Sequence, residues 1–210
     1  MRFYIVVFFI LALPSVAKAS IINLTLSNNV VNVGDVVSLN FSISGLSEAP
    51  NDSLSAFDLD VFFEQEFVRF ESAHFFDPIV GNQLNLTEVG ALPFESYGNE
   101  ISSGLIDVFA LSGNSNAALD ELQLNEFIFL SLDFLALKEV TSTGLGFDTT
   151  DPFLLFVSSL FADLPVSFAS SAANLQITGQ TNPPNEVPAP QTFSFILLAG
   201  VWILRKKIFV

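Results

Sequence analysis

Residues 37–44 read Val-Ser-Leu-Asn-Phe-Ser-Ile-Ser, with an apolar side chain at every odd position and Ser or Asn at every even one. An extended strand sends successive side chains to opposite faces, so this octapeptide has one oily and one wet face only when it is a strand. Residues 56–63 repeat the pattern, with Phe57, Leu59, Val61 and Phe63 on one side and Asp58 and Asp60 on the other. A helix would scatter those aspartates around its circumference. Strands with one oily face need a second layer to cover it, and this requirement constrains the fold more than any other feature of the chain.

Further strands are predicted over residues 21–26, 68–74, 105–111, 127–137, 144–147, 153–157 and 175–178. Turn-forming clusters at 32–35, 48–52, 113–116 and 149–152 separate them. Residues 127–137 are apolar on both faces, which places them in the middle of a sheet under a covering segment. Residues 116–123 read as a short helical turn or a loop. Many short strands and no repeated helical stretch predict an all-β fold, an antiparallel β-sandwich or jelly roll. With 24 Phe among 210 residues, apolar area suffices for one core without crosslinks. The absence of cysteine excludes disulfides, thiolate metal sites and a cysteine nucleophile.

The two ends follow other rules. Residues 1–19 have a basic start at Arg2, an apolar run over 3–13 and small residues, Ala17 and Ala19, at positions −3 and −1 of a cut after Ala19. These are the three parts of a secretory signal peptide, and the apolar run is shorter than the ~20 residues that span a bilayer. Residues 20–179 form the body, and 180–190 a proline-rich linker that cannot pair as a central strand. Residues 191–210 hold an apolar segment with Trp202 near its end, closed by Arg205, Lys206 and Lys207. This order predicts a membrane-spanning helix with its basic end in the cytoplasm and the body on the exported side.

Charge separates the body from its ends. All 22 acidic residues lie between Ser20 and Pro190, against two basic ones, Arg69 and Lys138. Such a body repels phosphate backbones, so nucleic acid is not an expected partner; it attracts divalent cations.

Val187, Pro188, Ala189 and Pro190, followed by a short apolar segment and the cluster Arg205, Lys206, Lys207, resemble the PEP-CTERM sorting signal of Gram-negative bacteria. The resemblance implies recognition by an exosortase; Ala189 stands where that family typically has glutamate. The body is similar to a second family. Residues 24–26 (Leu-Thr-Leu), 31–39 (Val-Asn-Val-Gly-Asp-Val-Val-Ser-Leu) and 55–63 (Ser-Ala-Phe-Asp-Leu-Asp-Val-Phe-Phe) resemble the cohesin-like domain of exported PEP-CTERM proteins. That resemblance implies a jelly-roll sandwich whose better-known members bind dockerin modules; fold transfers more readily than partner.

Few residues in the body can carry chemistry. His74 is the one histidine, so no histidine metal cluster forms, and the sequence lacks a Gly-x-Ser-x-Gly elbow. Asp58 and Asp60 share a strand face and read as solvated rather than as a glycosidase pair. Oxygen ligands for calcium are found around Asn51 and Asp52 and at Asp148 and Asp151, without an EF-hand pattern, so no cofactor is expected beyond that calcium option. Phe62, Phe63, Phe75, Phe76, Phe127 and Phe129 read first as core and second as an exposed aromatic surface; Tyr97 is the only Tyr of the body, which has no Trp. The expected function is a non-catalytic exported adhesion or scaffold module at the cell surface or in the extracellular matrix, with an extracellular protein as partner. A polysaccharide-binding module and a secreted hydrolase are the alternatives.

Overall fold

The computed structural model describes residues 19–46, 52–87 and 91–179. By backbone proximity the chain divides into Met1–Thr178 and Gly179–Val210, and every strand described belongs to the first. The strands are β1 (Ser20–Leu26), β2 (Val30–Asn32), β3 (Val36–Ser44), β4 (Leu54–Phe63), β5 (Val68–His74), β6 (Glu95–Ser102) and β7 (Leu105–Leu111). After helix α1 (Asn116–Leu122) come β8 (Glu126–Ala136), β9 (Val140–Phe147), β10 (Leu155–Ser158), β11 (Val166–Phe168) and β12 (Ala172–Thr178).

They form two sheets. One has the order β11-β1-β3-β8-β5; the other runs β2-β12-β9-β4-β7-β6, with β10 also paired to β4. β9 takes the Val61–Phe63 end of one β4 edge while β10 takes residues 54–58 of it, so the two share that edge. The pairing is antiparallel except at two places, a correction to the purely antiparallel expectation. The three-residue strands β11 and β2 run parallel to β1 and β12. Both were hidden in the sequence because three residues are too few to display a period.

The inner faces meet in one apolar core. Alternation in β3 buries Val37, Leu39, Phe41 and Ile43, and in β4 it buries Phe57, Leu59, Val61 and Phe63. Rings from the two sheets interdigitate: Phe129 of β8 lies 4.8 Å from Phe57 of β4, and Phe134 of β8 lies 5.3 Å from Phe63 of β4. Of the Phe side chains in doubt, Phe63, Phe127 and Phe129 are core, whereas Phe62 and Phe76 are exposed.

β8 is indeed paired on both sides, but it is not covered on both faces. Its register against β3 shifts between Phe41 and Ser42, where Phe129 is the extra residue. The bulge turns both Phe129 and Leu130 inward and resets the alternation, leaving Ile128, Ser131, Asp133 and Leu135 half-buried on the outside. A phase change within the strand therefore imitates a doubly apolar one.

β6 is not among the strands that alternation predicts. It is an edge strand exposed along nearly its whole length, so no oily face marks it. Gly98 at its centre admits β5: a Cβ there would lie 2.6 Å from the Ala73 Cβ. Gly104, in the turn to β7, has φ +77°, and a side chain on it would meet the Phe63 carbonyl oxygen at 2.5 Å. Residues 116–123 include the helix: Ser115 caps α1 by accepting the Ala118 N–H, and Ala118 and Leu119 are buried.

Candidate functional site: two outer faces of unlike chemistry

The alternation that builds the core also fixes what each sheet shows outward. On the larger sheet the registers align Leu155, Asp58, Phe109 and Tyr97 in one row across β10, β4, β7 and β6. The next row holds Asp60, Asp107 and Asn99, and a third holds Phe62 opposite Leu105. Tyr97 stacks on Phe109 with ring centroids 5.5 Å apart and planes at 23°. Tyr97, Phe62 and Leu155 remain 42%, 41% and 41% exposed. Aromatic and aliphatic side chains thus surround a trio of carboxylates on a broad face.

Electrostatics on this face are strained. Partial burial, then Asp107, Asp60 and Asp151, hold the Asp58 carboxyl above the ordinary aspartate range. Asp60 is raised for the same reasons, burial first and then Asp151 and Asp107. Burial, the charges of Asp107 and Asp58 and a hydrogen bond to Asp107 push the Tyr97 phenol up as well. Arg69 pairs with Glu71 and Lys138 with Glu66, and these are the two cations of the body, so neither neutralises the trio.

The smaller sheet presents hydroxyls and amides instead. Ser38 and Asn40 of β3, Ser131 and Asp133 of β8, and Ser72 and His74 of β5 lie side by side. Asp133 accepts from the Ser38 hydroxyl at 2.6 Å, and its other oxygen lies 3.0 Å from His74 Nε2. Ser72 Oγ approaches the same His74 nitrogen at 3.1 Å. A nucleophilic triad needs the base to hold the hydroxyl on one ring nitrogen and the carboxylate on the other. Here both partners crowd Nε2, so the three residue types do not form that relay. Sequence separation hid this group, since Asp133 is 59 residues from His74 and only the β5–β8 register joins them.

Asp148 and Asp151, which the sequence offers as oxygen ligands for calcium, serve their own turn. Asp148 accepts from the Thr150 N–H and hydroxyl, which hold its carboxyl below the usual range, and Asp151 accepts from the Phe153 N–H. Among the described residues no three His, Asp or Glu converge as a metal site requires. Asn51 lies outside the described residues, as do the sorting residues Ala17, Val187, Pro188, Ala189, Pro190, Arg205, Lys206 and Lys207. Ala19 is described, immediately before β1 and half-buried. No helix among the described residues is long and apolar enough to cross a membrane.

Neither a protein-family model nor a curated protein sequence matches the chain. Solved structures do. A type II cohesin domain from the cellulosome of Acetivibrio cellulolyticus superposes with a TM-score of 0.58 at 12% identity, covering 75% of this chain and 95% of that one. The cohesin module of a family 33 glycoside hydrolase from Clostridium perfringens gives 0.54 at 11% identity, over 78% and 99% of the two chains. A cohesin in a type I cohesin–dockerin complex from Clostridium thermocellum gives 0.54 at 13%, over 77% and 100%. At such identities the likeness is one of fold, and the fold of the described body is cohesin-like.

Proposed function

We propose that this chain is a non-catalytic, exported protein-binding module that receives an extracellular protein on the outer face of its larger sheet. The row Leu155, Asp58, Phe109, Tyr97, with Asp60 and Asp107 beside it, carries the reading. Exposed rings supply contact area at little entropic cost, and carboxylates held close to one another on a partly buried face gain by meeting a cation. The partner accordingly offers Arg or Lys among apolar side chains. Three of the superposed cohesins are structures with dockerins, which accords with a protein partner.

Export and display rest on the terminal segments. In this reading a leader ending in Ala17 and Ala19 is removed, the apolar segment before Arg205, Lys206 and Lys207 holds the chain in the inner membrane, and an exosortase-type enzyme acts at Val187, Pro188, Ala189 and Pro190. The product goes to the surface or extracellular matrix of a Gram-negative cell. Intact-mass measurement of the protein from envelope and medium tests this half: a mass retaining residues 191–210 in both fractions refutes sorting.

The binding half is tested by photo-crosslinking on intact cells, with the crosslinker at position 97 or at position 42 on the opposite sheet. A discrete protein adduct at 97, absent at 42 and lost in Asp58→Lys, is expected. Equal adducts at both positions, or an adduct indifferent to Asp58→Lys, refute the assignment of the face.

A further inference from the structure

The smaller sheet carries a separate depression of about 310 Å³, in the lower range of small-ligand pockets. Ser38, Asn40, Ser131, Asp133 and His74 line it, and Phe76, Pro78 and Ile128 supply apolar lining. We propose that this depression binds a neutral sugar ring of a polysaccharide, at a site distinct from the protein-binding face.

The polar floor is pre-arranged. Ser38 donates to one oxygen of Asp133 at 2.6 Å, His74 meets the other at 3.0 Å, and Ser131 donates to Asn40 Oδ1 at 2.7 Å. These bonds fix the side chains yet use only part of their capacity. The Ser72 hydroxyl also reaches the His74-bound oxygen of Asp133 at 3.4 Å. Among the described residues the Asn40 amide N–H groups, the second imidazole nitrogen, a lone pair on the Ser38-bound oxygen of Asp133 and those of Ser131 remain for a ligand. Donors thus alternate with acceptors over a small area. Adjacent ring hydroxyls, each able to donate and accept, match such a surface better than a purely anionic or purely cationic ligand does.

The apolar side completes the match. Phe76 is 47% exposed and is held edge-on to His74, with centroids 5.7 Å apart and planes at 70°. A pyranose has a C–H face that packs on an aromatic ring while its equatorial hydroxyls reach the polar floor. Charge selects the class of sugar: Asp133 at the floor and the acidic body repel uronates and phosphorylated sugars, leaving neutral units. Of the phenylalanines that the sequence offers as an exposed aromatic surface, Phe76 is the one that lines this depression.

The test uses the full-length chain in a zwitterionic detergent that has no sugar headgroup. Tetrasaccharide fragments of cellulose, β-1,3-glucan, mannan and galactan are screened by saturation-transfer NMR. Transfer to the C–H protons of at least one fragment is expected. Affinity for it should fall at least about tenfold in Phe76→Ala and in Asn40→Ala, and stay unchanged in Tyr97→Ala on the other sheet. Unchanged thermal midpoints in the two pocket variants show that the loss is local. Absence of transfer from every fragment overturns the proposal, as does binding that survives both pocket variants or is lost on Tyr97→Ala alone. The protein-binding face is read separately through its crosslink at position 97.

Discussion

Asp60 faces Asp107 directly across the β4–β7 pair, with Asp58 two residues away on the same side. Like charges at directly opposed positions oppose strand pairing, by about the 0.2–1 kcal/mol that opposite charges contribute there. Asp60→Asn keeps the shape and removes the charge. With solvent screening discounted, the gain at neutral pH is about 0.5 kcal/mol, or roughly 1–2 °C in melting temperature for a domain of this size. The pH dependence follows from the raised carboxyl. Partial burial first, then Asp151 and Asp107, make the folded state hold its proton more tightly than the unfolded chain does. Asp60 therefore favours folding below the ordinary aspartate range, and that contribution is lost as pH rises through the folded-state value. Calorimetry of full-length wild type and Asp60→Asn at pH 7 and pH 3 should show the variant melting higher at pH 7, less so in high salt, and equal to wild type at pH 3. A variant that melts lower at pH 7, or keeps its whole advantage at pH 3, refutes the reasoning. The same substitution should weaken the crosslinked partner, so stability and binding change in opposite directions.

Asp77 behaves in the reverse sense. Burial opposes its charge, but the N–H groups of Ile128, Ile79 and Val80 outweigh this and lower its carboxyl. Asp77→Asn should cost about 1.5–3 kcal/mol by urea titration at pH 7, with the cost fading as pH falls through the lowered value. Phe129→Ala removes a ring packed against Phe41, Phe57 and Phe156 and should cost about 3–5 kcal/mol, read as a lower urea midpoint. Thr143 Oγ1 is the one buried side-chain polar atom without a partner among the described residues; Thr143→Val should stabilise by about 1 kcal/mol in the same titration.

What the sequence displayed depended on whether a strand has two unlike faces. β3 and β4 do, and the predicted 37–44 and 56–63 lie within the observed Val36–Ser44 and Leu54–Phe63. β6 has water on nearly all sides, and β8 changes phase at its bulge, so alternation was absent in one and broken in the other. The Asp58–Asp60 pair was legible because it is local. Its neighbours Asp107 and Asp151, and the group of Ser38, Asp133 and His74, arise from strand register, which no single segment encodes. β10 begins at Leu155, two residues after the predicted start, because Asp151 accepts the Phe153 N–H within the preceding turn.

The distant likeness to cohesin modules and the individuality of the two faces have one physical origin. Core packing demands only apolar side chains of suitable volume on the inward positions, and many sequences meet that demand. Hence 10–16% identity suffices for the fold across the superposed cohesins. The outward positions alternate with these and are released from the core's requirement, so their composition reflects what the surface meets. On one sheet they are carboxylates crowded by like charge among rings; on the other they are hydroxyls, an amide and an imidazole, bonded in part through Asp133. A surface that serves solubility alone has no need of aspartates crowded by like charge on a partly buried face. Their presence on a body whose two cations are paired elsewhere is the physical reason to seek a basic partner there and a neutral one on the opposite sheet.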